Sequence, residues 1–212
     1  MPTAARATLL VAVPFCFSGL LWLHPLIGDY DGLRGVTARF QLVHVAMALV
    51  IVALATGVYL LLHGLPGRAA VVARRALIPF VAFYVPYVAF EGVSLGVLGQ
   101  ELNDLAAAER DAVASGLVED FAANPIMGEP SAFWALGTIA WITVIAATVV
   151  AFRRAGAPLV LQVLIGLSAL IGAHAPPIAP IGWLCFAAAG VLVLRARRSR
   201  PADPAPAAMA PA

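Results

Sequence analysis

Polar residues in this chain fall in short clusters, separated by long stretches that contain almost none. Six apolar stretches stand out, over residues 7–27, 40–62, 76–98, 131–152, 158–173 and 178–194. A helix rising about 1.5 Å per residue needs about 20 apolar residues to cross a hydrocarbon core about 30 Å thick. The first four stretches meet that length. The last two are shorter and are divided by His174, Ala175, Pro176 and Pro177. Paired prolines remove donors and break a helix, so two short spans joined by a tight turn are expected, with neighbouring helices or the bilayer accommodating their length. The pattern predicts an all-α, polytopic membrane helix bundle of six transmembrane helices, one domain over 1–198. The Pro- and Ala-rich tail, 199–212, is expected to be disordered. The first stretch is read as a retained span: its apolar run is too long for a signal peptide, and Gly28-Asp29-Tyr30-Asp31-Gly32 makes a poor cleavage site.

The 99–130 segment is the longest interruption. Leu102, Leu105, Val113, Leu117 and Phe121 recur at roughly helical spacing, with Glu101, Asp104, Asp111 and Asp120 between them. That pattern predicts an extracytoplasmic amphipathic helix lying on the bundle. Asn124-Pro125 and Glu129-Pro130 then lead into the fourth span.

Composition agrees with lipid as the main solvent. The chain is 62% hydrophobic and 11% charged, with a mean hydropathy of +0.95, whereas soluble domains carry about 25% charged residues. Two cysteines, Cys16 and Cys185, exclude a disulfide scaffold. All thirteen basic residues are arginine, and ten of them (Arg6, Arg68, Arg74, Arg75, Arg153, Arg154, Arg195, Arg197, Arg198 and Arg200) fall in segments that alternation puts on one side. The positive-inside rule makes that side the cytoplasm. The 99–130 segment holds seven acids and one arginine, which suits the opposite side. The expected location is the inner (plasma) membrane with both termini cytoplasmic.

Ionisable groups inside a membrane are expensive, so those present are the candidate functional residues. Glu91 is the one acid within any of the six stretches. Tyr84, Tyr87, Glu91 and Ser94 share a helical face by spacing, near Pro79 and Pro86, which invite a kink. Such a face suits a proton or ligand site; its structural counterpart is an interhelical hydrogen bond. His24, His44 and His174 lie near the outer end of their spans and His63 near the other end. Imidazoles relay protons and ligate transition metals or haem. No His or Cys spacing matches a metal motif, and the chain has no nucleophile elbow, no phosphate-cradling glycine loop and no nucleic-acid patch. Trp22, Trp134 and Trp183 are expected in an interfacial belt. The leading expectation is a non-catalytic transporter, sensor or accessory subunit with a polar site at Glu91, needing no cofactor. The alternative is a metalloprotein or oxidoreductase using His24, His44, His174 and Glu91 with a transition metal or haem. A third is a structural protein whose acidic outer segment docks a membrane or extracytoplasmic partner.

Overall fold

The computed structural model describes residues 3–25, 33–126, 131–173 and 176–199. The chain is all-helical, with no strand among these residues. Its helices are α1 (Ala4–Leu21), α2 (Thr37–Leu61), α3 (Arg68–Asn103), α4 (Ala107–Ala122), α5 (Ala132–Arg154), α6 (Leu159–Ala173) and α7 (Ile178–Arg198). Five of them, α1, α2, α3, α5 and α7, are long and apolar enough to cross a membrane. The sixth expected span, α6, falls short of that length: nine α-helical residues, Leu159–Leu167, are followed by six in a 3-10 turn, Ser168–Ala173.

Helices α1, α2, α3, α5, α6 and α7 close into a ring, each packed on the next, with α7 returning to α1. Every one of them sends a large or close-packed residue to the centre: Phe17, Met47, Phe80, Trp141, Ile171 and Trp183. The aromatic rings interlock there, Phe17 edge-on to Trp183 at 4.9 Å and Phe80 against Trp141 at 4.8 Å. The outer surface is apolar as well. Leu49, Ile78 and Leu159 are 70%, 72% and 73% exposed, an arrangement suited to hydrocarbon. Two side-chain bonds staple the ring: Ser18 Oγ donates to Pro180 O at 2.9 Å, and Tyr84 Oη donates to Gly172 O at 3.1 Å.

Three expectations are corrected by the packing. Helix α3 runs on through Asn103, so Leu102 belongs to it and is buried with Leu33, Phe40, Leu95 and Ala114 in a small second core. The expected outer helix therefore starts only at Ala107, and its buried residues include Arg110 and Ala114, while Val113 is exposed. The apolar repeat was split between two helices, and the side chains of Leu117 and Phe121 lie outside the described set. Trp183 is buried in the central core, whereas Trp22 is 57% exposed. The loop residues Asp29, Tyr30 and Asp31 and the tail from Arg200 onward lie outside the described residues.

Close approach of α1 and α7 depends on Gly190. A Cβ there would run into the backbone carbonyl of Leu10, which no rotamer change relieves, whereas a Cβ at Gly166 would meet nothing. Overpacking of this kind costs about 1–3 kcal/mol. Gly190→Ala is expected to lower the thermal unfolding midpoint in detergent by several degrees, and Gly166→Ala to leave it unchanged or raise it. Equal midpoints for the two variants would contradict the packing described.

Candidate functional site

The polar corner of the bundle is built where the end of α1, the start of α2 and the end of α3 meet. Its geometry begins with a break in helical period. After Pro86, residues Ala89–Ser94 of α3 form a π-helical turn. Such i→i+5 turns advance fewer degrees per residue than α-helix and are frequent at functional sites. Residues beyond the turn rotate out of phase with those before it. Tyr84 and Tyr87 are buried, Glu91 is half-buried with its Oε2 atom inside the protein, and Ser94 is exposed. The four-residue face expected from regular spacing therefore ends at Glu91.

The same rotation turns Gly92, Gly96 and Gly99 onto α2. A Cβ at Gly92 would overlap the ring of His44, one at Gly96 would overlap Gln41, and one at Gly99 would stand 2.8 Å from Thr37 Cγ2. The glycines form a groove, and the His44 imidazole is seated in it beside the residue that follows Glu91. His44 is fully buried. Its Nδ1 lies 2.8 Å from Phe40 O. A carbonyl only accepts, so Nδ1 carries the hydrogen, and in the neutral ring Nε2 is the basic nitrogen.

His24 follows the last turn of α1, its backbone N–H donating to Leu21 O at 3.0 Å. Its ring is buried and lies 4.9 Å from that of His44, at 56°. Phe40 closes the group, 4.2 Å from His44 and 5.9 Å from His24 between ring centroids. The structure thus brings His24 and His44 into contact and puts Glu91 on the same corner. Tyr87 stands next inward and Tyr84 beyond it, their rings 5.6 Å apart. Tyr84 Oη is engaged by Gly172 O, which makes Tyr84 a tie between α3 and α6. His174 lies outside the described residues. Among the described residues no three His, Cys, Asp or Glu side chains group so as to hold a metal ion. A metal bound at His24 and His44 would therefore draw a further ligand from elsewhere.

Inward of Tyr87 the path closes. The void bounded by Phe17, Met47, Phe80, Tyr84, Trp141 and Trp183 measures about 10 Å³, at or below the space that one water needs. The polar corner and this small void are separated by the Tyr84 and Tyr87 rings.

Gly92 and Gly96 were noted from sequence beside Pro79 and Pro86, but the packing roles of Phe40 and the three glycines were not foreseen. A signal existed for both: Phe40 is one helical turn before His44, and Gly92, Gly96 and Gly99 recur at helical spacing. What they contact is decided by helix adjacency, which spacing does not encode. No family model matches the chain, and no curated protein or solved structure matches it either.

Proposed function

We propose that this protein is a six-span, non-catalytic protein of the inner (plasma) membrane that takes up and releases a proton at the His24–His44–Glu91 corner, acting as a sensor or accessory subunit. The observation that carries this reading is the buried contact between the two imidazoles, with His44 seated on the glycine next to Glu91. Imidazole titrates near physiological pH. Two imidazoles and a carboxyl group on one corner are groups that hold and release protons. The corner is therefore suited to exchange a proton. Because its side chains come from α1, α2 and α3, that proton bears on how three helices pack. A small transporter is the weaker form of this reading, since the closed centre at Tyr84 would have to open.

Six spans and the orientation have their own support. Arg6, His63, Ala155, Pro158 and Arg197 line one cavity, so the start of α1, both intervening turns and the end of α7 gather at one end of the bundle. Helix α6 leaves that end and α7 returns to it. Since a 3-10 turn rises about 2.0 Å per residue, α6 reaches about 25 Å, close to the hydrocarbon thickness. The arginine end is then cytoplasmic by the positive-inside rule. Reporter fusions at Gly67, Ala114 and Ala207 should read inside, outside and inside. An external reading at Ala207 would overturn both the span number and the orientation.

For the proton site, thermal unfolding of the purified protein is measured at about pH 5.5 and about pH 8, on either side of the imidazole range. The midpoint is expected to differ by several degrees between the two, and His24→Gln, His44→Gln and Glu91→Gln are each expected to remove most of that difference. A parallel drop at both pH values in all three variants would mean that the corner only packs.

The same imidazole contact supports a second reading, a metalloprotein or oxidoreductase in which His24 and His44 share a transition metal or haem with Glu91 and His174. Metal analysis and an optical spectrum of the purified protein separate the two: a stoichiometric metal lost in His44→Gln supports this reading against the proton site.

A further inference from the structure

The opposite end of the bundle holds a second site, independent of the histidine corner and resting only on membrane placement. The last carbonyls of α2 point there and are capped by arginines from two other helices. Arg197 Nη2 donates to Leu60 O at 3.2 Å and Leu61 O at 3.5 Å, and Arg74 Nη1 donates to Leu62 O at 3.3 Å. Cations at a helix C-terminus offset the negative end of its dipole. Capping also fixes the Arg197 guanidinium against the wall of a cavity of about 490 Å³. Small-molecule sites run from about 300 to 1,000 Å³, so this one is of ligand size.

The lining combines two chemistries. Arg6, Arg197 and His63 supply positive or basic groups, and Leu61, Phe152 and Val193 supply an apolar wall. Among the described residues no carboxylate lines it. Arg6 Nε is buried and has no hydrogen-bond partner among the described residues. Positive-inside bias accounts for how many arginines lie at this end. It does not account for a guanidinium nitrogen buried without a partner beside an open space. Arginine presents five donors in a planar fork that matches phosphate oxygens, and basic pockets between membrane helices take anionic headgroups. We propose that this cavity binds a phosphoryl anion held by Arg6 and Arg197, and that its source is the headgroup of an anionic phospholipid, whose glycerol and first methylenes lie on the apolar wall.

The test uses the full chain purified in mild detergent. Native mass spectrometry reads bound lipid after addition of phosphatidylglycerol, phosphatidylcholine or inorganic phosphate, and thermal unfolding gives the apparent affinity. Phosphatidylglycerol is expected to remain bound and to stabilise the protein saturably, while phosphatidylcholine is not. Arg6→Gln and Arg197→Gln should each weaken phosphatidylglycerol at least about tenfold, the loss of one good charge-assisted contact. Arg153→Gln is the control, because Arg153 is exposed at the same end but does not line the cavity. Ala196→Phe fills the cavity from its exposed rim with all charges kept, and should abolish binding even if the arginine variants fold poorly. Equal weakening by Arg153→Gln and Arg6→Gln, or full binding in Ala196→Phe, would overturn the site. Saturable stabilisation by inorganic phosphate with none by phosphatidylglycerol would overturn the lipid source and leave a free anion as the ligand.

Discussion

Helix α2 lies where it does because α3 offers it a surface without side chains. At Gly92, Gly96 and Gly99 the α3 backbone is met directly by His44, Gln41 and Thr37 of α2, with Leu33 beside Thr37 at the last of them. In hydrocarbon there is little hydrophobic force between helices, and association depends on such close packing and on internal polar contacts. Any side chain on that seam would lift α2 away. His44 would then leave its seat, Phe40 and Thr37 would lose their place over the end of α3, and the second small core would come apart. The π turn is what aims the glycines, since it sets the phase of everything after Ala89.

Two polar ends joined by a dry middle follow from the same ring. Each ring helix contributes to the aromatic centre, and the space left there is too small for more than one water. Polar chemistry is thereby confined to the ends, where helices start, stop or change period. At one end the imidazoles gather after the last turn of α1 and beside the π turn of α3. At the other, arginines cap the carbonyls that α2 leaves exposed. Between the two ends lie that small void and closely packed side chains.

Five long apolar helices were readable from sequence because lipid imposes a length, and the sixth apolar run falls short of it. The pairing of His24 with His44 was also readable, because a short connection makes α1 and α2 neighbours and both residues lie near one end. Ser94 was misplaced because a regular period was assumed through Ala89–Ser94, where the structure has a π turn. Trp183 was assigned to an interface by its depth, although it packs inward on Phe17. Depth along the chain says how far a residue lies from a boundary; only adjacency says which way it faces. The outer helix was misjudged for a related reason: Leu102 and Val113 match in spacing but belong to different helices, and the break at residues 104–106 carries no proline or glycine to announce it.

Helix α2 touches both polar ends, as do α1, through Arg6 and His24, and α3, through Arg74 and Gly92. Near its start α2 carries His44 on Gly92, and its last carbonyls are held by Arg197 and Arg74 from α7 and α3. Twenty-five residues without a proline separate a flexible arrangement from none: α2 is a continuous α-helix throughout. A change in how His44 is seated is therefore not absorbed by bending within α2, because proline kinks and π turns, the usual absorbers, occur in α3 and α1 instead. On the proposed reading such a change shifts or tilts the whole rod against its caps. Those caps are the same guanidinium that walls the cavity and a neighbour that fixes the same helix end. On the proposed reading of each end, proton occupancy at the corner and anion occupancy at the cavity bear on one rigid body, and each favours the position of α2 that suits it.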